Sequence, residues 1–202
     1  MIDQTTADKT LAGNKLAGGN PERGRVANDY YATHSDSTKA LLKVESIVYP
    51  ALEPACGEGH ISKLLAGDVT SIDLIDRGFG TGGIDFLTWQ PDRQYQDVIT
   101  NPPFSLFLQF LDKSLQVASH RVYLFGKLVA LEGQKRATFL EGSPLKYVYV
   151  FKARQQPLRN GNPIDPKTGK KWASNTMAFA WFVWEKEYEG KPTIKWLDKD
   201  EK

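Results

Sequence analysis

The sequence has little of what secreted, membrane-spanning and metal-binding proteins need. It contains one cysteine, Cys56, so no intramolecular disulfide bond can form. Its three scattered histidines fit no spacing of metal ligands, which predicts no bound metal. No apolar run approaches the roughly 20 residues of a membrane-spanning helix, and Met1–Val26 lacks the apolar core of a signal peptide. These absences predict a soluble cytoplasmic protein with no membrane partner.

An excess of charge is also missing, because 26 basic residues stand against 24 acidic ones and leave a net charge of +2. This balance excludes a strongly basic polyelectrolyte, although a local basic stripe remains compatible with it. With 202 residues, 41% of them hydrophobic, the chain is long enough for one domain and too short for two. Residues 1–25 are polar and have no hydrophobic period, which predicts a flexible arm followed by a single domain over residues 26–198.

Within that domain, short apolar runs alternate with helical patterns, which is typical of a mostly parallel sheet flanked by helices. The predicted strands are Ile47–Glu53, Asp68–Asp73, Asp97–Thr100, Arg121–Phe125, Tyr147–Phe151, Met177–Glu185 and Thr193–Leu197, the last pairing with the strand before it. The predicted helices are Ser37–Glu45, His60–Ala66, Ser105–Ala118 and Leu131–Glu141. Pro50 cannot donate to a ladder, so the first strand begins at Ala51 or contains a bulge. The aromatic residues of Met177–Glu185 are expected to pack in the core on both faces of the sheet.

A turn of small residues, Glu53–His60, connects the first strand to a predicted helix. Gly57 and Gly59 have no Cβ atom, so they tolerate positive φ and let a ligand approach the backbone closely. A dinucleotide-binding fold uses a related turn, but here Ser62 replaces the third glycine of that fingerprint. The turn therefore predicts either a cofactor loop or a plain connection between strand and helix.

Acidic residues follow the next elements. Asp73 lies twenty positions after Glu53, where a carboxylate can accept hydrogen bonds from both hydroxyls of a ribose. Asp76 is a rival for that role. Asp85 could accept from the amino group of an adenine while Phe86 packs against the ring. Each aspartate could equally begin an ordinary turn.

The tetrapeptide Asn101-Pro102-Pro103-Phe104 follows directly after an apolar strand. The two prolines favour extended geometry and stiffen the turn, so the Asn101 side-chain oxygen and the Pro102 carbonyl can both accept from one exocyclic amine. The lone pair of that amine can then attack a methyl sulfonium. Phe104 offers a face for a planar base, a contact worth roughly 1–3 kcal/mol. Asn101 is an amide and cannot act as a general base, so the proton leaves to water or a neighbour.

All these motifs follow predicted strands, and the carboxyl ends of parallel strands share one edge, where ligands bind. With these residues, the chain resembles the amino-methylating DNA methyltransferases, specifically the small phage- or prophage-type adenine-N6 enzymes. The resemblance spans residues 29–197. Glu53–Gly59 is similar to the family's cofactor loop and Asn101–Phe104 to its catalytic tetrapeptide. Asp29–Thr33 resembles the segment that closes over the methionine end of the cofactor, although His34 replaces the usual proline.

The resemblance implies a Rossmann-like S-adenosylmethionine-dependent methyltransferase fold, an α/β fold whose mostly parallel sheet has an antiparallel C-terminal strand. It implies S-adenosylmethionine as cofactor and methylation of adenine N6 in double-stranded DNA after base flipping, in the cytoplasm of a bacterial host. The implied cofactor-binding residues are Tyr31, Thr33, Glu53, Ala55, Gly57, Gly59, Asp73, Asp85, Phe86 and Asn101. The implied catalytic residues are Asn101, Pro102, Pro103 and Phe104.

No separate target-recognition domain is left in the sequence, and the best substitute is the basic loop 152–175. Cations beside Trp172 suit a nucleic-acid groove, but an exposed lysine-rich loop would look the same. The predicted DNA contacts are Lys152, Arg154, Arg159, Lys170 and Lys171.

Other functions fit parts of the pattern. The same chemistry could act on cytosine N4, an RNA base or a protein glutamine. A non-catalytic module that binds the cofactor would not need the intact tetrapeptide Asn101–Phe104. A nicotinamide-linked oxidoreductase is disfavoured by the incomplete glycine fingerprint.

Overall fold

A seven-stranded mixed sheet organises the computed structural model, which describes residues 30–155, 158–159, 164, 169–170 and 177–198. The elements are β1 (Tyr31–Ala32), α1 (Ser35–Leu42), β2 (Ala51–Glu53), β3 (Val69–Ser71), β4 (Tyr95–Thr100), α2 (Phe107–Val117), β5 (Ala118–Lys127), α3 (Gln134–Glu141), β6 (Leu145–Phe151), β7 (Leu158–Arg159), β8 (Phe179–Glu185) and β9 (Thr193–Leu197). The predicted arm 1–25 lies outside the described residues, as does most of the basic loop 152–175.

The strand order is β3-β2-β4-β5-β8-β6-β9. Strands β3, β2, β4 and β5 run parallel, while β8 is antiparallel to both β5 and β6. This arrangement confirms the predicted α/β fold with a mostly parallel sheet and an antiparallel C-terminal strand. The predicted pairing of β9 with β8 is wrong: because β5 and β6 occupy both sides of β8, β9 pairs in parallel with the free side of β6.

The central position of β8 explains its composition. Phe179, Trp181 and Val183 pack into the core cluster on one face of the sheet, and Phe182 and Trp184 pack into the cluster on the other. A strand buried on both faces is expected to be continuously apolar rather than alternating. The prediction that these aromatic residues belong to the core is therefore confirmed.

Helix α2 confirms the prediction of an amphipathic helix over Ser105–Ala118. Its buried residues Phe107, Phe110, Leu111 and Val117 follow the 3.6-residue period and face the sheet. The helix itself begins at Phe107, and a separate 3₁₀ turn over residues 104–106 replaces the first turn of the predicted helix. A strong apolar period therefore predicts that a helix exists more accurately than it predicts the residue at which the helix begins.

The predicted helix His60–Ala66 is wrong, because only a 3₁₀ turn over Ser62–Leu64 forms there. Leu65 has extended backbone angles, and the Ala66 amide donates to the Tyr49 hydroxyl instead of a helical carbonyl. The first strand also contracts, since β2 begins at Ala51, after the proline.

The ribbon β1·β7 was not predicted. Two residues, Tyr31 and Ala32, pair antiparallel with Arg159 and Leu158. Part of the loop 152–175 is thereby joined to the segment that precedes α1. None of the helices in the described part of the chain is long and apolar enough to cross a membrane.

Candidate active site

A pocket opens where β2, β3 and β4 end. The residues that follow these strands contribute to its wall, together with residues 30–33 and 84–86 and the start of α2. The predicted site residues that line it are Tyr31, Thr33, Glu53, Ala55, Asp73, Asp85, Phe86, Asn101, Pro102 and Pro103. Gly57, Gly59 and Phe104 are not among the lining residues. The topology thus gathers most of the candidate residues at one edge of the sheet.

The side-chain amide of Asn101 has a hydrogen-bond partner for its Nδ2 atom and none for its Oδ1 atom among the described residues. Its Nδ2 donates to the main-chain carbonyl of Tyr31 at 2.6 Å. Since only the NH₂ group can donate to a carbonyl, this contact determines which way the amide faces. The Oδ1 atom is then a buried acceptor that no described residue satisfies. Such an atom in a pocket is suited to a donor from a ligand.

Phe104 is 3% exposed and covered by neighbouring side chains. The Tyr31 ring stacks on it with centroids 5.5 Å apart and planes at 29°. The Lys127 ammonium lies 4.6 Å from the Phe104 centroid. A planar base could stack on this ring only after Tyr31 or Lys127 moves, so base stacking on Phe104 stays a prediction.

The glycines of the turn adopt the predicted backbone conformation for a different reason. Gly57 and Gly59 have φ of 54° and 78°. A Cβ atom at either position would lie 2.6 Å from an aromatic ring, Tyr30 in the first case and Phe79 in the second. The close approach expected of a ligand is made in this structure by the protein's own side chains.

Glu53 is 1% exposed at the end of β2. Its Oε2 accepts from the Ser62 amide at 2.8 Å and from the Ser62 hydroxyl. Burial raises the pKa of Glu53 to about 8, against the effect of these two hydrogen bonds. The Glu53 side chain is therefore mostly protonated at neutral pH in this structure, and it holds the turn from inside.

The structure separates Asp73 from its rival Asp76. Asp73 lines the pocket, where its carboxylate accepts from the amides of Gly57 and Ile75, both at 2.8 Å. Asp76 is exposed and lies outside the pocket wall. These contacts favour Asp73 as the acidic residue that faces a ligand.

Asp85 combines the two roles considered for it. Its Oδ1 accepts from the Leu87 amide at 3.0 Å, as in an aspartate that begins a turn, and the residue also lines the pocket. Phe86 beside it is buried against Phe110, with ring centroids 5.2 Å apart. Leu74 is 58% exposed in the same pocket, so an apolar surface is available to a planar ring.

The pocket wall also contains Tyr30, His60 and Arg77, which were not predicted as site residues, although Tyr30 and His60 lie within the segments Asp29–Thr33 and Glu53–His60. Burial lowers the pKa of His60, so its imidazole is neutral at physiological pH. The Arg77 guanidinium lies 3.9 Å from the centroid of the Tyr30 ring. No motif marks an isolated arginine in a loop, so the sequence carried no signal for Arg77.

The predicted DNA contacts are only partly described. Lys152 and Arg154 are exposed and follow the carboxyl end of β6, while Lys170 is exposed further along. Because β6 runs in the same direction as β4, its end lies at the same edge of the sheet as the pocket. The side chains of Arg159 and Lys171 lie outside the described residues.

The sequence matches no protein-family model and no curated protein. Among solved structures, the chain is similar to the methyltransferase subunit of a type I restriction-modification system from Streptococcus thermophilus, with a TM-score of 0.54 and 10% identity. That likeness covers 81% of this chain and 45% of the subunit.

Two further solved structures give similar values. One, from Listeria monocytogenes, is assigned to the class I S-adenosylmethionine-dependent methyltransferases, with a TM-score of 0.52, 14% identity, and 88% and 68% of the two chains covered. The other, from Vibrio vulnificus YJ016, is assigned as the modification subunit of a type I restriction enzyme, with a TM-score of 0.50, 11% identity, and 96% and 50% covered. This chain therefore spans about half the length of the two restriction-modification subunits. The likenesses show the Rossmann-like methyltransferase fold.

Proposed function

We propose that this protein transfers a methyl group from S-adenosylmethionine to the exocyclic N6 amine of adenine in DNA. The observation that carries the proposal is the Asn101 amide, whose Oδ1 is buried in a pocket and has no partner in the described structure. An exocyclic amine supplies the donor that this acceptor lacks. The Pro102 carbonyl, next in the chain, can accept from the same amine.

The pocket fits the proposed cofactor on two observations of its wall. The Thr33 hydroxyl is buried with no described partner, which suits a polar group of the methionine end. Exposed Leu74 in the pocket wall suits an adenine ring, and the Asp73 carboxylate in the same wall suits ribose hydroxyls. When bound, S-adenosylmethionine supplies an electrophilic methyl group.

The chain's own contribution to the reaction is mainly positioning. Tyr31 holds the Asn101 amide by its NH₂ group, so Oδ1 keeps the direction in which it can accept. Acceptors at Asn101 and Pro102 localise the amine lone pair by drawing on its protons. Asn101 cannot take up a proton, so the proton released after transfer goes to water or to a neighbouring group.

DNA is favoured over other carriers of an amine by the surface near the pocket. Lys152 and Arg154 are exposed at the same edge of the sheet, where phosphates can be reached. Two of the similar structures are subunits of restriction-modification systems, which supports a DNA substrate. We infer that the target adenine is flipped out of the duplex, since Asn101 lies inside a pocket.

The test is to incubate the protein with methyl-labelled S-adenosylmethionine and unmethylated genomic DNA, then digest the DNA and identify the labelled nucleoside. We expect N6-methyladenine. Parallel reactions with RNA and with protein substrates distinguish other amines, and labelled N4-methylcytosine would move the target to cytosine. If no substrate is labelled although the protein binds the cofactor, the protein is a non-catalytic cofactor-binding module and the proposed function is wrong.

A further inference from the structure

Tyr30 and Arg77 lie against each other at the wall of the pocket. Tyr30 belongs to the segment Asp29–Thr33, whereas Arg77 belongs to no motif of the sequence. The guanidinium carbon of Arg77 is 3.9 Å from the centroid of the Tyr30 ring. The same ring covers Gly57, because a Cβ atom there would meet it at 2.6 Å. Both residues line the pocket, so the pair connects the glycine turn to the loop that follows β3.

The Arg77 side chain has hydrogen-bonding capacity that its neighbours do not use. Its Nε is buried, and no described residue accepts from it. A buried guanidinium donor without an acceptor lowers the stability of the fold. A carboxylate or phosphate ligand can offset this loss by accepting a hydrogen bond from it. The flat face of the group is occupied by Tyr30, which leaves its edge to bind a ligand in the plane.

The charges around the pocket narrow the choice of ligand group. Among the described residues that line it, Arg77 is the sole lysine or arginine. S-adenosylmethionine carries two cationic groups, a sulfonium and an ammonium, and one carboxylate. Arg77 is the complement of the single anionic part.

We propose that Arg77, held flat by Tyr30, binds the carboxylate of the cofactor and is thereby a specificity-determining residue of the pocket. This inference rests on the proposed function, because it takes the cofactor from there. It adds a contact that no sequence motif indicated, and it assigns the Tyr30 ring the task of orienting the guanidinium.

The test compares two ligands that differ by one group, S-adenosylmethionine and its decarboxylated analogue, by isothermal titration calorimetry. Arg77→Ala is expected to weaken S-adenosylmethionine binding about tenfold or more, the usual range for losing a hydrogen bond to a charged group. Binding of the decarboxylated analogue is expected to stay within about twofold of the unmodified protein. Arg77→Lys keeps the charge without the planar fork and is expected to fall between the two.

Arg93→Ala is the matched control. Arg93 also lies over a tyrosine, 5.0 Å from the Tyr95 centroid, but it pairs with Asp68 outside the pocket. Its removal is expected to change neither affinity. Thermal unfolding of each variant shows that it is folded when titrated.

Two results would overturn the inference. If Arg77→Ala loses affinity equally for both ligands, Arg77 acts through packing. If its affinity for both is unchanged, Arg77 binds another anion, such as a DNA phosphate, or none. In either case the unmodified protein still binds S-adenosylmethionine, so the proposed function survives. If the unmodified protein binds neither ligand, the cofactor assignment fails and Arg77 fails with it.

Discussion

Buried polar atoms differ between the pocket wall, at the carboxyl end of the sheet, and a network of charged residues at its amino end. At the carboxyl end, around the pocket, Thr33 Oγ1, Arg77 Nε and Asn101 Oδ1 are buried and have no described partner. At the amino end, Asp97 is fully buried and its carboxylate is saturated. It accepts from the Val48 and Arg121 amides at 2.7 and 3.0 Å and pairs with His120 at 2.7 Å.

A second group at the amino end is joined by ion pairs and hydrogen bonds, although the hydroxyl of buried Tyr123, two residues after Arg121 on β5, has no described partner. Arg121 donates to Glu45 at 2.7 Å and to Glu185 at 2.5 Å, and Tyr149 donates to Glu45 at 2.5 Å. Lys146 completes the group by binding Glu185 at 2.7 Å. Buried polar groups are normally satisfied, and an open one requires an explanation. The comparison teaches that the network of charged residues at the amino end stabilises the fold, whereas three buried atoms of the pocket wall keep their hydrogen-bonding capacity for a ligand.

The largest effect is expected from Asn101→Ala at the open end. Removing the amide eliminates an acceptor that acts only on the reacting amine, so methyl transfer should fall on the order of 10³-fold, roughly 4 kcal/mol of transition-state stabilisation. The free energy of unfolding should fall by about 1 kcal/mol, because the variant loses the hydrogen bond from Nδ2 to the Tyr31 carbonyl, whereas Oδ1 satisfies nothing in the described structure.

Initial rates with labelled cofactor, urea denaturation and titration with S-adenosylhomocysteine check the three parts of this prediction. Retained activity would remove Asn101 from the catalytic role. A large loss of stability would mean that the residue belongs to the scaffold, and the comparison between the two ends would break.

Arg121→Met is the corresponding change at the paired end, with a smaller expected effect. It leaves Glu45, 7% exposed, without its cation, and breaking a buried ion pair in this way lowers the free energy of unfolding by about 3 kcal/mol. Affinity for S-adenosylhomocysteine in the folded fraction should stay within about twofold, because Arg121 is not among the residues lining the pocket. Urea denaturation and calorimetry measure both quantities. A fully stable variant with impaired binding would show that the paired end also serves the site.

The sequence predicted the parts of this comparison that depend on local pattern. The apolar period of α2 and the continuous apolar run of β8 are dictated by burial, and both appear where expected. The motifs after β2, β3 and β4 converge because parallel strands place their carboxyl ends together. For this reason Asn101, Asp73 and Asp85 could be assigned to one pocket without coordinates.

What escaped prediction depends on contacts between distant residues. The position of β9 follows from which strands already flank β8, and no local pattern encodes that. The failed helix at His60–Ala66 ends because the Ala66 amide finds the Tyr49 hydroxyl, 17 residues earlier. The Arg77–Tyr30 pair is likewise formed between separate segments. Propensity and spacing alone cannot supply such pairings.

Glu53 predicts that the free energy of unfolding depends on pH, with a change of about 2 kcal/mol. Because burial raises its pKa from 4.5 to about 8, the folded protein retains the Glu53 proton more tightly than the unfolded chain does. This contribution to stability is complete below pH 4.5 and is lost as the pH rises towards 8. The free energy of unfolding should therefore fall between pH 6 and 9, by about 2 kcal/mol from this group.

Urea denaturation at pH 6, 7, 8 and 9 of the unmodified protein and of Glu53→Gln isolates the effect. The glutamine keeps an acceptor for Ser62 but does not titrate, so its stability should vary less over this range. Glu58→Gln, at an exposed position of the same turn, is the control and should retain the slope. Parallel curves for all three proteins would show that Glu53 is ionised at neutral pH.

The smallest effect, and the most direct comparison of the two ends, comes from deleting one hydroxyl at each. Thr33 is 2% exposed with no described partner for Oγ1, so Thr33→Val removes an unsatisfied group and should raise the free energy of unfolding by several tenths to about 1 kcal/mol. Tyr149→Phe deletes a hydroxyl paired with buried Glu45 and should lower it by about 1.5 kcal/mol or more. Affinity for S-adenosylhomocysteine should fall a few-fold in Thr33→Val alone. If both variants lose stability to the same extent, the Thr33 hydroxyl has a partner within the fold. The pocket wall would then not differ in this respect from the network around Glu45.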